Sequence, residues 1–207
     1  MLRYAPRMRF LALGDSYTIG ESVEPAEPWP VQLAAMLRDR GIAIGEPEII
    51  ATTGWTTDEL SDAIDARQPG GPYDLVSLLI GVNNQYRGRP LDEYREQFRA
   101  LLLRAIGFAV GEPRRVMVLS IPDWGVTPFA ADRDRARIAA EIDAFNAVTR
   151  EESEAFGTHF VDVTPISREA ADDNSLIAAD GLHPSGSMYR SWAELALYPA
   201  LLAIDAP

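Results

Sequence analysis

The chain has no cysteine and no lysine. The first absence removes disulfides, thiolate metal sites and cysteine nucleophiles. The second removes Schiff-base chemistry and lysine-activated nucleophiles. All 19 basic residues are arginine, a skew that biased genome composition explains without a functional cause. Histidine is almost as scarce, with only His159 and His183. Acidic residues outnumber basic ones, 31 to 19, for a formal net charge of −12. A nucleic-acid partner, which needs a basic face, is therefore not expected. Long apolar runs are missing too, and nothing approaches the ~20 residues of a membrane span. The short apolar run after Arg3, Arg7 and Arg9 is less than the about 7–15 residues of a signal-peptide core, and Asp15 follows at once. It is read as a first strand, with the mature protein starting near Met1 and a cytoplasmic location expected.

What is present is enough for one globular domain over residues 1–207. The chain is 207 residues long and 47% hydrophobic, which suits a sheet covered on both faces. Strands are predicted at about Met8–Leu13, within Ile42–Ala51, at Asp74–Ile80, at Arg115–Ser120 and at His159–Val163. The third is a near-continuous apolar run, as befits a central parallel strand. Helices are predicted between and after them: Trp29–Arg40, a short one capped by Thr57 and reaching Ala66, Leu91–Val110, Arg133–Phe156 and Gly186–Leu202. Tyr94, Phe98, Leu101, Leu102 and Ile106 recur at helical spacing, as do Ile138, Ile142, Phe145 and Val148. In the last helix Trp192, Leu195, Ala196 and Leu201 are the candidate core. Strand and helix alternate five times. That pattern predicts a three-layer α/β/α sandwich, a five-stranded parallel sheet in the flavodoxin-like order 2-1-3-4-5.

The polar and glycine-rich punctuation falls at the strand ends. Ser16 follows the first strand, Gly54 the second and Asn83 the third. Asp180 and His183 lie in the loop before the last helix and can reach the same edge by folding back from strand five. In open α/β sheets that carboxyl edge is where ligands bind. The set makes a complete acyl-transfer apparatus. Ser16 supplies a nucleophilic hydroxyl, His183 takes its proton, and Asp180 fixes the imidazole tautomer. The Ser16 and Gly54 backbone N–H groups and the Asn83 amide suit an oxyanion hole. Asp15 is adjacent to Ser16 but is read as bracing the turn. His159, opening a strand among apolar neighbours, is read as structural. Trp29, Trp55 and Trp124 are candidates for an apolar substrate wall, Asn84 for a substrate contact, and Asp123 for a carboxylate pointing into the site. No metal site and no cofactor are expected.

Four blocks, Gly14-Asp15-Ser16 with Gly20, Gly54, Gly81-Val82-Asn83, and Asp180-Gly181-Leu182-His183, resemble in their order those of the SGNH hydrolases, the GDSL-type esterases and lipases. The resemblance implies the same sandwich. It also gives Ser16, Gly54, Asn83 and His183 the family's four eponymous roles, with Asp180 completing the triad. Many members carry Asp after the asparagine of the third block, where this chain has Asn84. That change puts the hydrogen bonding of the loop in question. The implied function is a serine ester hydrolase working through an acyl-enzyme. Its partner is a small accessible ester, with short-chain acyl and acetylated-sugar esters suggested by the resemblance. The alternatives are acyl transfer at the same site and a non-catalytic carbohydrate- or acyl-binding module. Oligomeric state is not readable from the sequence.

Overall fold

A computed structural model describes residues 8–205. Arg3 and Arg7, and the expected start of the mature protein near Met1, lie outside the described residues. Five strands, β1 (Phe10–Asp15), β2 (Glu48–Thr52), β3 (Leu75–Leu79), β4 (Val116–Leu119) and β5 (His159–Val161), form one sheet in the order β2-β1-β3-β4-β5. All four pairings are parallel. The sheet order is the one expected from the alternation of elements.

The central strands are buried on both faces. Every residue of β1 and β3 is buried, as their near-continuous apolar runs require. β1 begins two residues later than expected, because the Arg9 N–H bonds the Asp74 carboxylate at 2.8 Å and regular pairing starts with Phe10 and Leu75. It also runs on through Gly14 to Asp15, which pair with Ala51 and Thr52. The turn therefore comes after Asp15. Gly14 is required by packing within the strand: a Cβ there would collide with the Thr18 side chain and the Leu79 carbonyl.

Eight α-helices are present among the described residues. Five are the long ones foreseen: α2 (Trp29–Asp39), α3 (Thr57–Arg67), α5 (Leu91–Phe108), α6 (Arg135–Phe156) and α8 (Gly186–Ile204). α2 and α8 pack together, with α8 also against β3, β4 and β5; α3, α5 and α6 cover the other face. The apolar stripes of α5 and α6 are buried as their spacing predicts. In α8, Trp192 and Ala196 are buried, but Leu195 is exposed and Leu201 only half-buried. The cap of α3 is Thr56, not Thr57. Thr56 and Glu59 form a reciprocal capping box, which satisfies two N–H groups that a helix end leaves free.

The other three helices, α1 (Ser16–Ile19), α4 (Val82–Tyr86) and α7 (Thr164–Arg168), have four or five residues each. α1 and α4 begin directly beyond β1 and β3, at the carboxyl edge of the sheet. They put Ser16 and Asn83 in first-turn positions at that edge. No helix among the described residues is long and apolar enough to cross a membrane.

Candidate active site

Asp180 is the most heavily bonded side chain at this edge. Its Oδ2 accepts from Nδ1 of His183 at 2.6 Å and from the Ser22 hydroxyl at 2.8 Å. Its Oδ1 accepts from the backbone N–H groups of Leu182 and His183 at 2.9 and 3.0 Å. Desolvation pushes the carboxyl up, but these four donors outweigh it and hold Asp180 well below the usual carboxylate range. With Nδ1 committed to Asp180, Nε2 is the nitrogen of His183 left to exchange a proton.

Asp15 occupies the opposite electrostatic situation. It is fully buried and caps α1 by accepting the Tyr17 N–H at 3.0 Å. Burial pushes its carboxyl up to about 7, against partial relief from the Tyr17 N–H and the Asn83 amide. The same amide has a second acceptor. Nδ2 of Asn83 donates to the Trp55 carbonyl at 2.9 Å and to Asp15 at 3.4 Å.

Gly54 sits in the loop after β2 with φ +85°. That is left-handed backbone, which glycine adopts without the Cβ penalty. Ser16, Gly54, Asn83 and His183 then line one cleft of about 160 Å³, together with Tyr17, Val82, Tyr86, Trp124, Phe129 and Leu182. Ser16 and His183 are both nearly buried. As first residue of α1, Ser16 also carries an N–H that a helix leaves without an intrahelical partner.

The sequence pattern of the GDSL-like lipase/acylhydrolase family matches residues 12–191. The chain belongs to this family. No curated protein matches the chain in sequence. Among solved structures, TesA superposes with a TM-score of 0.72 at 19% identity, covering 94% of this chain and 98% of TesA. The psychrotrophic esterase EstA from Pseudoalteromonas sp., in a structure inhibited by monoethylphosphonate, gives 0.70 at 17%, covering 93% and 96%. Axe2, an acetylxylan esterase from Geobacillus stearothermophilus, gives 0.67 at 19%, covering 97% and 95%. At these identities the likeness is one of fold.

In this GDSL-type chain the expected substrate contacts divide. Trp124 lines the cleft, its indole N–H held by Gln85 at 2.8 Å. Trp29 does not: it is fully buried, its ring 6.5 Å from that of Phe10, because the first turn of α2 faces the core. Asn84 is also fully buried. It accepts the Thr57 N–H at 3.1 Å and donates to the Thr57 hydroxyl at 2.7 Å, tying α4 to the start of α3. An amide fills both roles, so the departure from the common aspartate still leaves this side chain bonded to Thr57 through both its oxygen and its nitrogen. Trp55 contributes its carbonyl, while its ring packs on the core. Asp123 is buried in a pair with Arg168 at 2.9 Å and caps a short turn through Gly125. His159 opens β5, at the far end of the parallel strands from the cleft.

Sequence reasoning missed Ser22, Tyr86 and Phe129. Tyr86 and Phe129 are about half exposed and surround Trp124, with ring centroids 5.3 Å and 6.0 Å from it. Tyr86 ends the short helix α4 and Phe129 lies in a turn ten residues past β4, so neither sits at a strand end where the sequence pattern points to a site.

Proposed function

We propose that the chain hydrolyses small carboxylic esters through an acyl-enzyme on Ser16. The observation that carries this reading is the meeting of Ser16, Gly54, Asn83 and the Asp180-bound His183 around one cleft. Ser16 Oγ attacks the ester carbonyl while its proton passes to Nε2 of His183, and Asp180 steadies the imidazolium. The carbonyl oxygen becomes an oxyanion facing the N–H groups of Ser16 and Gly54 and the Asn83 amide. The contact from Asn83 to Asp15 is long, so that proton is the one an oxyanion can take over. Collapse expels the alcohol, which takes the proton from His183. Water repeats the sequence and releases the acid.

The small cleft and its aromatic wall favour a short acyl group. An acetyl ester is the simplest fit, and one of the structural neighbours is an acetylxylan esterase. The test is steady-state turnover of p-nitrophenyl acetate with and without added alcohols. Acid as the main product supports hydrolysis; a transferred ester as the main product would replace it with acyl transfer.

A further inference from the structure

The loop that carries Gly54 is gripped from α4 at two points. One is the Asn83 amide on the Trp55 carbonyl. The other comes one helical turn later: Nη2 of Arg87, just past the end of α4, donates to the Gly54 carbonyl at 2.6 Å. This is a short, charge-assisted bond to the backbone of the residue whose N–H faces the oxyanion in the reading above. The opposite side of the same guanidinium is held. Nη1 bonds Glu59 Oε1 at 3.2 Å. Glu59 is itself fixed by its other oxygen, which accepts the Thr56 N–H at 2.9 Å in the capping box of α3.

The guanidinium thus spans from the cap of α3 to the Gly54 peptide. Gly54 needs such a restraint more than most residues, since glycine at φ +85° has no side chain to hold its conformation. Nothing is packed tightly against it: a Cβ built there would meet only Arg87 Nη2, at 3.8 Å. Arg87 is 41% exposed and is absent from the cleft lining. It has no structural burden in the core and no contact with the reacting atoms.

We propose that Arg87 is a positioning residue for the oxyanion hole, holding the Gly54 backbone so that its N–H meets the developing charge. The proposal rests on the reading of Ser16, Gly54 and Asn83 given above. A fixed donor acts through placement, and a displacement on the order of 1 Å can lower the rate about 10²-fold. The effect belongs to the transition state, so kcat falls while KM is nearly unchanged.

The experiment compares Arg87→Met and Arg87→Lys with wild type, using p-nitrophenyl acetate and a short alkylboronic acid, whose serine adduct puts an oxygen in the oxyanion hole. Arg87→Met is expected to lower kcat about 10- to 100-fold, and to raise the boronic acid inhibition constant by a similar factor, with the melting temperature little changed. Arg87→Lys, which keeps one donor, recovers part of both. Unchanged kcat in Arg87→Met overturns the proposal. So does a loss of kcat that leaves boronic acid inhibition as in wild type, or one that appears equally in KM. Ser16→Ala separates the two levels. If it turns over as wild type, the reading of the site fails and this inference with it. If it is inactive while Arg87→Met is normal, only the inference fails.

Discussion

Asp15, the residue before Ser16, accepts at Oδ2 from Nδ2 of Asn83 at 3.4 Å, and Asn83 lines the cleft. The contact joins a carboxyl group pushed up to about 7 by burial to the amide proposed as an oxyanion-hole donor. Two consequences are testable, one in stability and one in rate.

The stability consequence has a definite sign. An ordinary aspartate ionises near 3.8, and Asp15 in the fold near 7. Between these values the folded state holds a proton that the unfolded chain has released. Asp15 therefore makes folding progressively less favourable as pH rises from about 4 through 7. Asp15→Asn keeps the shape and the acceptor for the Tyr17 N–H but cannot ionise. Its melting temperature relative to wild type should climb between pH 4.5 and pH 8. Other titrating groups are common to both proteins and cancel in the difference. A constant difference across that range would show that Asp15 is not shifted.

The rate consequence concerns Asn83. Asn83→Ala removes the side-chain donor and should lower kcat about 10²–10³-fold with KM little affected. Near-normal turnover of p-nitrophenyl acetate would remove Asn83 from the reaction.

Asp180 carries the opposite shift. Its four donors depress it, so its contribution to stability is present above the ordinary aspartate value and is lost as pH falls below it. Asp180→Asn should lose that acid-side slope in thermal unfolding. It should also lower kcat on the order of 10⁴-fold by disturbing the His183 tautomer. Ser22→Ala removes one donor of the four and should give a far smaller loss. Equal losses in the two variants would mean that Ser22, not the carboxylate, orients the ring.

Trp124 divides two spaces. It lines the Ser16 cleft, and it also lines a small cavity bounded by Ile177, Pro184 and Met188, with Tyr17 and Leu182 common to both. Trp124→Ala should join them and move the preferred acyl chain from short to longer esters, read as kcat/KM over a series of p-nitrophenyl esters. An unchanged chain-length profile would show that the aromatic wall does not set acyl selection.

The sheet order was legible because the signals for it are local. Apolar runs ending in glycine and polar residues mark parallel strands, and helical stripes mark the covering layers. The blocks bearing Ser16, Gly54, Asn83 and His183 were legible for the same reason, since each sits at a strand end or loop. Helices α1 and α4 are too short to show a period. Burial was harder to read: Trp29 and Asn84 stand near polar loops in sequence but turn inward in space. The supporting bonds were out of reach, because they join distant positions. Ser22 and Asp180 are 158 residues apart, Arg87 and Gly54 are 33 apart, and neither pair leaves a local pattern.

Covalent labelling decides whether Ser16 is the nucleophile. The protein is treated with a fluorophosphonate, digested with trypsin and sequenced by mass spectrometry. Cleavage after Arg9 and Arg38 places Ser16 in the peptide Phe10–Arg38, which also contains Ser22. One phosphonyl group is expected on Ser16, absent from Ser16→Ala and sharply slowed in His183→Ala. Labelling of Ser22, or labelling that persists in Ser16→Ala, would contradict that role for Ser16.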